Sequence, residues 1–274
     1  MVVNMKFSVL LSIYYKEKVS YFNRAMQSIW DEQTKRPNEI VLVQDGKLTD
    51  ELYKVIDEWQ VKLGNTLKVI PLKENIGLGD ALNIGLNKCS HELVARMDTD
   101  DISVDDRFEK QVKQFKDTDI DICSSWVSEF EDREEYIVSY RKLPEYHTEL
   151  LRFSKKRNPL NHPAVMYKKS AVNRAGGYKK MPYFEDYYLW GRMMLNGSKF
   201  YNIQESLVNM RAGCSQLERR GGIRYAMSEI VLQKEFLKLH FINIFEFMRN
   251  VIIRFSSRLM PKYLLKKIYS KIHK

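Results

Sequence analysis

The sequence predicts an α/β protein: a parallel sheet flanked by helices, followed by a helical, basic C-terminal extension. Three observations carry that expectation. Apolar, β-rich runs alternate with amphipathic stretches about every 25–30 residues through the first half, the rhythm of strand–helix–strand crossovers. The 274 residues are 44% hydrophobic with only 12 Gly and 7 Pro, which suits one sizeable core and excludes a disordered chain. Most of the net charge of +10 sits at the end, where Arg249, Arg254, Arg258, Lys262, Lys266, Lys267, Lys271 and Lys274 follow without an acid.

The elements follow in order. Phe7–Ile13, a short continuous apolar run, predicts a buried strand, and Tyr21–Gln33, with apolar residues at helical spacing, a helix. Glu39–Gln44 predicts a second strand, Asp50–Leu63 a helix, Leu67–Pro71 a third strand, Leu78–Lys88 a helix and Leu93–Met97 a fourth strand. Beyond them the pattern is less regular. It predicts helices over Arg107–Lys116 and Glu145–Lys155, a strand over Ile120–Trp126 between them, and extended chain over Asn161–Tyr167. A helix over Asp186–Asn196 is expected next, then short strands near Lys199–Ile203 and Leu207–Met210. From about Ile223 the spacing stays helical, with Pro261 opening a last helix, so a boundary falls near Arg219–Gly222.

Cys89, Cys123 and Cys214 are odd in number and far apart, which fits free thiols in a reducing compartment and neither a disulfide frame nor a zinc site. The run Phe7–Ile13 is short and sits against Lys16-Glu17-Lys18, a poor signal peptide. Glu246, Arg249 and Arg254 interrupt Phe241–Phe255, so no membrane span is expected. The near-neutral body argues against nucleic acid as a partner. At the tail, Phe241, Ile244, Phe245, Met248, Val251, Ile252 and Phe255 fall at i, i+3/i+4 spacing, and Arg254, Arg258, Lys262 and Lys266 form a basic stripe. That pattern suits a helix lying on an anionic membrane surface; the alternative is that the apolar stripe packs on the body. A cytoplasmic protein, peripheral on the inner face of the cell membrane, is the expectation.

Two early strands end in acids, Glu39–Gln44 at Asp45-Gly46 and Leu93–Met97 at Asp98-Thr99-Asp100-Asp101, where α/β sheets bind ligands. Three carboxylates in four residues repel one another unless a cation lies among them, and Mg²⁺ or Mn²⁺ takes carboxylates together with phosphate oxygens. The alternative is that they cap the helix beginning near Asp105 or form Asx turns. Asn75-Ile76-Gly77 leads into a helix without a G-x-G-x-x-G or Walker A pattern, which disfavours a dinucleotide or P-loop site. Glu185-Asp186 opens a helix; acids are favoured there anyway, but a carboxylate in that place also suits a general base. His162 in Asn161-His162-Pro163 is a candidate acceptor contact, and Arg211, Arg219 and Arg220 are candidate phosphate clamps, an exposed basic turn being the alternative.

Taken together, SVLLSIYYKE, EIVLVQDG, ENIGLGDALNIGL, RMDTDD, NHPAVMY, GGY…YFEDYYLWGRM and NMRAGCS, in that order over roughly residues 6–222, resemble glycosyltransferase family 2, especially its branch that builds bacterial O-antigen and exopolysaccharide repeats. The resemblance implies a GT-A fold, a Rossmann-like, mostly parallel sheet flanked by helices. It divides residues 1–222 into a nucleotide-binding half (about 1–105) and an acceptor half (about 106–222), followed by the extension 223–274. It implies an inverting hexosyltransferase using Mn²⁺ or Mg²⁺, a nucleotide-sugar donor (UDP-galactose or UDP-glucose preferred) and a polyprenyl-diphosphate-linked sugar as acceptor. Residue by residue, Ser12, Tyr14, Glu17, Asp45, Asn75, Gly77, Arg96 and Asp98 would line the nucleotide groove, Asp98 and Asp100 would hold the metal, and Asp186, with Glu185 beside it, would be the base. Gln44 and Lys47 depart from the family's Asp-Asp-Gly-Ser, and the Gln-x-x-Arg-Trp signature of processive synthases is missing, which points to one sugar per encounter. A nucleotidyltransferase and a non-catalytic membrane scaffold are the rival readings; the first would carry a glycine-rich basic loop where Tyr14-Tyr15-Lys16-Glu17 stands.

Overall fold

The structure is a computed structural model that describes residues 5–212 and 222–259, with side chains to residue 254; Cys214, Arg219, Arg220, Pro261 and most of the basic tail lie outside the described residues. The first half alternates as expected: β1 (Phe7–Ile13), α1 (Val19–Trp30), β2 (Glu39–Gln44), α2 (Asp50–Leu63), β3 (Leu67–Pro71), α3 (Leu78–Lys88) and β4 (Leu93–Arg96). β1 pairs in parallel with β2 and β4, and β2 with β3, giving the order β3-β2-β1-β4. The chain therefore steps outward from β1 to β3 and returns to β1's other side for β4. That reversal opens a crevice beyond the carboxyl ends of β1 and β4.

Side chains alternate across this sheet with period two. Phe7, Val9 and Leu11 join α1, α2 and α4 (Arg107–Asp117) on one face, whereas Leu10, Val41 and Val43 meet Ala81, Leu82 and Leu86 of α3 on the other. Both faces are covered, which is why the strands read as unbroken apolar runs.

The second half extends the sheet with mixed pairing. After β5 (Ile102–Ser103) and α4 come β6 (Ile122–Phe130), β7 (Ile137–Arg141), α5 (His147–Ser154), β8 (Met166–Lys168), α6 (Lys169–Arg174), α7 (Glu185–Leu195) and β9 (Phe200–Arg211). β8 runs antiparallel to β4 and β6, β9 parallel to β6, and β5 and β7 pair antiparallel at the rim. Two expected short strands are one. β9 shifts register opposite Ser125–Val127, so Gln204 and Glu205 bulge out of the ladder, and their polarity mimics a loop. Asn161–Tyr167 is not wholly extended, since His162–Ala164 makes a 3₁₀ turn before β8. β7 had no sequence expectation: it is a rim strand with no fully buried side chain, so no apolar run marks it.

Two helices close the described chain, α8 (Ile223–Lys238) and α9 (Ile244–Leu259). α8 belongs to the core: Phe236 is fully buried with its ring against Tyr187 and Phe241. The tail's apolar stripe divides. Phe241, Ile242 and Phe247 pack inward, while Ile244, Phe245, Met248 and Ile252 are exposed. Arg254 turns inward to pair with Glu229, so the basic stripe loses its first member. No helix among the described residues is long and apolar enough to cross a membrane.

A buried carboxylate ties the parallel strands together. Burial alone would raise the Glu39 pKa, but hydrogen bonds from Lys68, Ser8 and Ser90 override it and hold the group down to about 2. A folded-state value below the unfolded one adds stability that is complete above the ordinary carboxylate range and is lost as pH falls through the folded value. Glu39→Gln is therefore expected to destabilise the protein by about 2 kcal/mol at pH 7, with the gap from wild type closing as pH falls from the ordinary carboxylate range towards 2. Urea unfolding at pH 7 and in acid checks this; an unchanged midpoint at pH 7 would contradict it.

Candidate active site

Three loops converge on the crevice between β1 and β4. The loop after β4 carries the acids. One carboxylate oxygen each from Asp98, Asp100 and Asp101 lies within 4.8 Å of the others. Burial, then the charges of Asp98 and Glu17, push the Asp100 carboxyl up to about 7, and burial with the charges of Asp100 and Asp98 also raises Asp101 well above its ordinary value. The capping alternative does not hold, because β5 separates the cluster from α4 and the α4 cap residue Asp106 makes no side-chain cap bond. Asp98 pairs with the fully buried Arg96, whose Nε and Nη1 find no hydrogen-bond partner among the described residues. Asp101 accepts from the backbone N–H of Arg211 at 2.9 Å, and its other oxygen is buried without a partner among the described residues. Three crowded carboxylates with one oxygen unpaired fit a divalent cation of the Mg²⁺ or Mn²⁺ kind.

The flanks of the cluster are built from both halves of the chain. Glu17, in the loop after β1, accepts from the Thr99 hydroxyl, and burial raises its pKa, with Asp98 adding to the effect. Arg211, at the end of β9, donates from Nε to the Asp100 carbonyl at 3.2 Å, while its guanidinium stacks over Tyr21 at 3.8 Å and Phe130 at 4.5 Å. Arg107 of α4, wholly buried, donates to the Arg96 carbonyl at 2.7 Å and so fixes the end of β4 from behind. Ser12 is half-buried within β1, and Tyr14 is exposed just after it.

The second loop is held by Asp45. Its two carboxylate oxygens accept from the backbone N–H groups of Ile76 (2.8 Å) and Gly77 (3.2 Å), and the Asn75 side chain donates to its carbonyl. Gly46 has φ +87°, and a Cβ there would stand 2.7 Å from the Asn75 nitrogen, so only glycine permits the approach. Asp45 thus acts here as the fastener of the Asn75–Gly77 loop.

The third loop precedes α7. Asn83 of α3 clamps both backbone groups of Tyr178 at 2.7 Å, which requires the left-handed glycine Gly177 beside it. Tyr178 then meets His162 Nε2 at 2.9 Å, and His162 also packs edge-on against Trp190. Burial and the neighbouring Arg96 charge hold the His162 pKa well below its ordinary value, so the imidazole is neutral. The buried Tyr178 hydroxyl feels the charges of Arg96, Asp186 and Asp98. In that turn burial raises Glu185 to about 7, with Asp186 and Asp80 contributing, and Asp186 accepts from Asn158 at 2.6 Å.

The structure therefore groups the sequence candidates in three sets: Glu17, Asp98, Asp100 and Arg211; Asp45, Asn75 and Gly77; and His162, Glu185 and Asp186, with Arg96 beneath. Thr99, Tyr21, Phe130, Asn83, Asn158 and Tyr178 had no assigned place from sequence. Of these, Thr99, Asn83 and Tyr178 carried a signal, through the RMDTDD, ENIGLGDALNIGL and Gly-Gly-Tyr runs.

Comparison with known proteins agrees with this geometry. The family model described as glycosyl transferase family 2 matches residues 8–176. The chain is 43% identical over 268 residues to the UDP-Gal:alpha-D-GlcNAc-diphosphoundecaprenol beta-1,3-galactosyltransferase of Escherichia coli, covering 97% of this chain and 96% of that one. It is 36% identical over 269 residues to the amylovoran biosynthesis glycosyltransferase AmsE of Erwinia amylovora, covering 98% and 99%. Among solved structures, S. aureus TarS 1-349 with UDP-GlcNAc superposes with a TM-score of 0.68 at 17% identity, over 91% of this chain and 72% of that one. The mannosyltransferase PcManGT of Pyrobaculum calidifontis, with GDP-Man and Mn²⁺, gives 0.61 at 14%, over 99% and 81%. At those identities the likeness concerns the fold, which is GT-A. The family match and the near full-length relatives give the same answer: the chain belongs to glycosyltransferase family 2.

Proposed function

We propose that this protein is an inverting, non-processive hexosyltransferase that moves one sugar from a UDP-hexose onto a hydroxyl of a polyprenyl-diphosphate-linked sugar. The observation that carries the reading is the Asp98–Asp101 cluster at the end of β4, with the Tyr178 hydroxyl near enough to feel both Asp98 and, in the first turn of α7, Asp186. The galactosyltransferase relative, 43% identical over nearly all of both chains, favours UDP-galactose as donor and a lipid-diphosphate N-acetylhexosamine as acceptor.

In this mechanism the Asn75–Gly77 loop, Ser12 near the end of β1, and Tyr14 and Glu17 just after it form the walls of the nucleotide groove. Asp98 and Asp100 would hold Mn²⁺ or Mg²⁺, which supplies Lewis-acid neutralisation of a leaving diphosphate. Arg211, fixed by its two aromatic neighbours, presents positive charge beside that position. Asp186 accepts the proton of the attacking hydroxyl, and Glu185, raised to about 7 by burial, lies beside it in the first turn of α7. His162 is a neutral hydrogen-bonding partner for the acceptor.

Release of nucleoside diphosphate from a panel of nucleotide-sugars, with and without Mn²⁺ and a synthetic lipid-diphosphate N-acetylhexosamine, tests this. The expected result is release from one UDP-hexose that is stimulated by both additions. Release from no donor by the folded protein would sink the proposal.

The acceptor chemistry places the enzyme at a membrane. Phe245 is 79% exposed, and Ile244, Met248 and Ile252 stand out on the same helix, next to a chain end rich in Lys and Arg. Residues 223–274 in this reading form the lipid-facing extension. Replacing Phe245, Met248 and Ile252 by Ser is expected to weaken binding to phosphatidylglycerol vesicles at least about tenfold. Flotation that is identical for variant and wild type would contradict the placement.

A further inference from the structure

The turn after α5 joins the outer helix to the candidate base. Four anchors hold it. The Ser154 carbonyl accepts from the Tyr187 hydroxyl, the Lys155 carbonyl from Asn250 at 2.8 Å, and the Lys156 carbonyl from Arg254. Two residues on, Asn158 donates from Nδ2 to Asp186 Oδ2 at 2.6 Å. The Asn158 amide is itself oriented, because its Oδ1 accepts from the Leu160 N–H at 3.3 Å and so leaves the NH₂ facing the carboxylate. Asn250 is buried and also donates to Gln233 of α8, and Glu246, one turn earlier on α9, lies 3.6 Å from Lys155. The polar residues Glu246, Asn250 and Arg254 thus form one stripe of α9 at i, i+4, i+8, turned towards this segment and away from the exposed Ile244, Met248 and Ile252.

We propose that Asn158 is a positioning residue for Asp186, and that α9 holds Asn158 in place through Asn250 and Arg254. The helix with the exposed apolar face and the candidate base then move as one unit. The inference rests on the reading of Asp186 as the base. An N–H donated to a carboxylate favours its ionised, proton-accepting form and fixes its rotamer. Among the described residues, the groups near Asp186 include Glu185 beside it and the hydroxyls of Tyr178 and Tyr187, with the charges of Arg249 and Arg254 near Tyr187.

Asn158→Ala, Asn158→Asp, Asn250→Ala and Asp186→Asn, each checked for folding by circular dichroism, would be compared in kcat, donor KM and pH–rate profile. For Asn158→Ala the expected result is a kcat about 10- to 100-fold lower with donor KM within about twofold of wild type. Its acid limb should move up by about one pH unit, the worth of a charge-assisted hydrogen bond. Asn158→Asp, which sets a second carboxylate against the first, should move the limb further and regain part of its rate at alkaline pH. Asn250→Ala should move it in the same direction by less. An inactive Asp186→Asn beside an Asn158→Ala enzyme with wild-type kcat and acid limb would overturn the positioning role and leave the base reading standing. An active Asp186→Asn would overturn both. A folded Asn250→Ala with an unmoved acid limb would overturn the link to α9.

Discussion

Asp186→Asn is expected to lower turnover by about 10²–10⁴-fold while donor binding is retained, the range that a well-placed general base contributes. The substitution keeps the size of the side chain and an oxygen for the Tyr187 N–H, but sets an NH₂ where Asn158 donates, so the fold of the variant is checked by circular dichroism. What it removes is the proton-accepting oxygen. Because burial, with Asp186 and Asp80, raises Glu185 to about 7, that neighbour ionises with modest alkalinity, and any rate that the variant recovers above pH 7 would be the work of Glu185. The measurement is single-turnover transfer to a lipid-diphosphate acceptor, beside calorimetric binding of the donor. Near-normal turnover in the variant would remove Asp186 from the mechanism.

Asp100→Ala should cost at least about 10³-fold, together with loss of response to added Mn²⁺. In the cluster each carboxylate is raised or crowded by its neighbours, and one Asp101 oxygen is buried without a partner; such a set is stable only with compensating positive charge. EDTA should therefore silence the wild-type enzyme, and Mn²⁺ or Mg²⁺ should restore it, whereas Asp100→Ala should stay silent at any concentration of either. Thermal unfolding gives a second view: a divalent cation should raise the wild-type midpoint and leave that of the variant unmoved. Activity that survives chelation would establish that the acids serve without a metal.

The parallel half of the fold was legible because buried strands and amphipathic helices leave contrasting periods in a sequence, and β1 to β4 match those periods almost residue for residue. The polar bulge at Gln204–Glu205 broke the pattern of β9, and β7 lies at the rim, where hydrophobicity has no work to do. At the site, Asp98 to Asp101 and Glu185-Asp186 stood out as charges at element ends. The contacts of Thr99, Asn83 and Asn158 did not, because a single polar residue looks the same whether or not a distant carboxylate or backbone amide completes it. Arg254 is the reverse case: its place in a regular stripe suggested solvent or lipid, and the buried Glu229 took it inward.

The way Asp45 is used has a thermodynamic consequence. With both of its carboxylate oxygens engaged by the Ile76 and Gly77 amides, one wall of the proposed nucleotide groove is set during folding, and its conformational entropy is lost then and not at encounter. A donor arriving at such a wall meets a rigid surface, so none of its interaction energy is diverted to ordering that loop, and association there should be limited by diffusion and orientation, not by a conformational search.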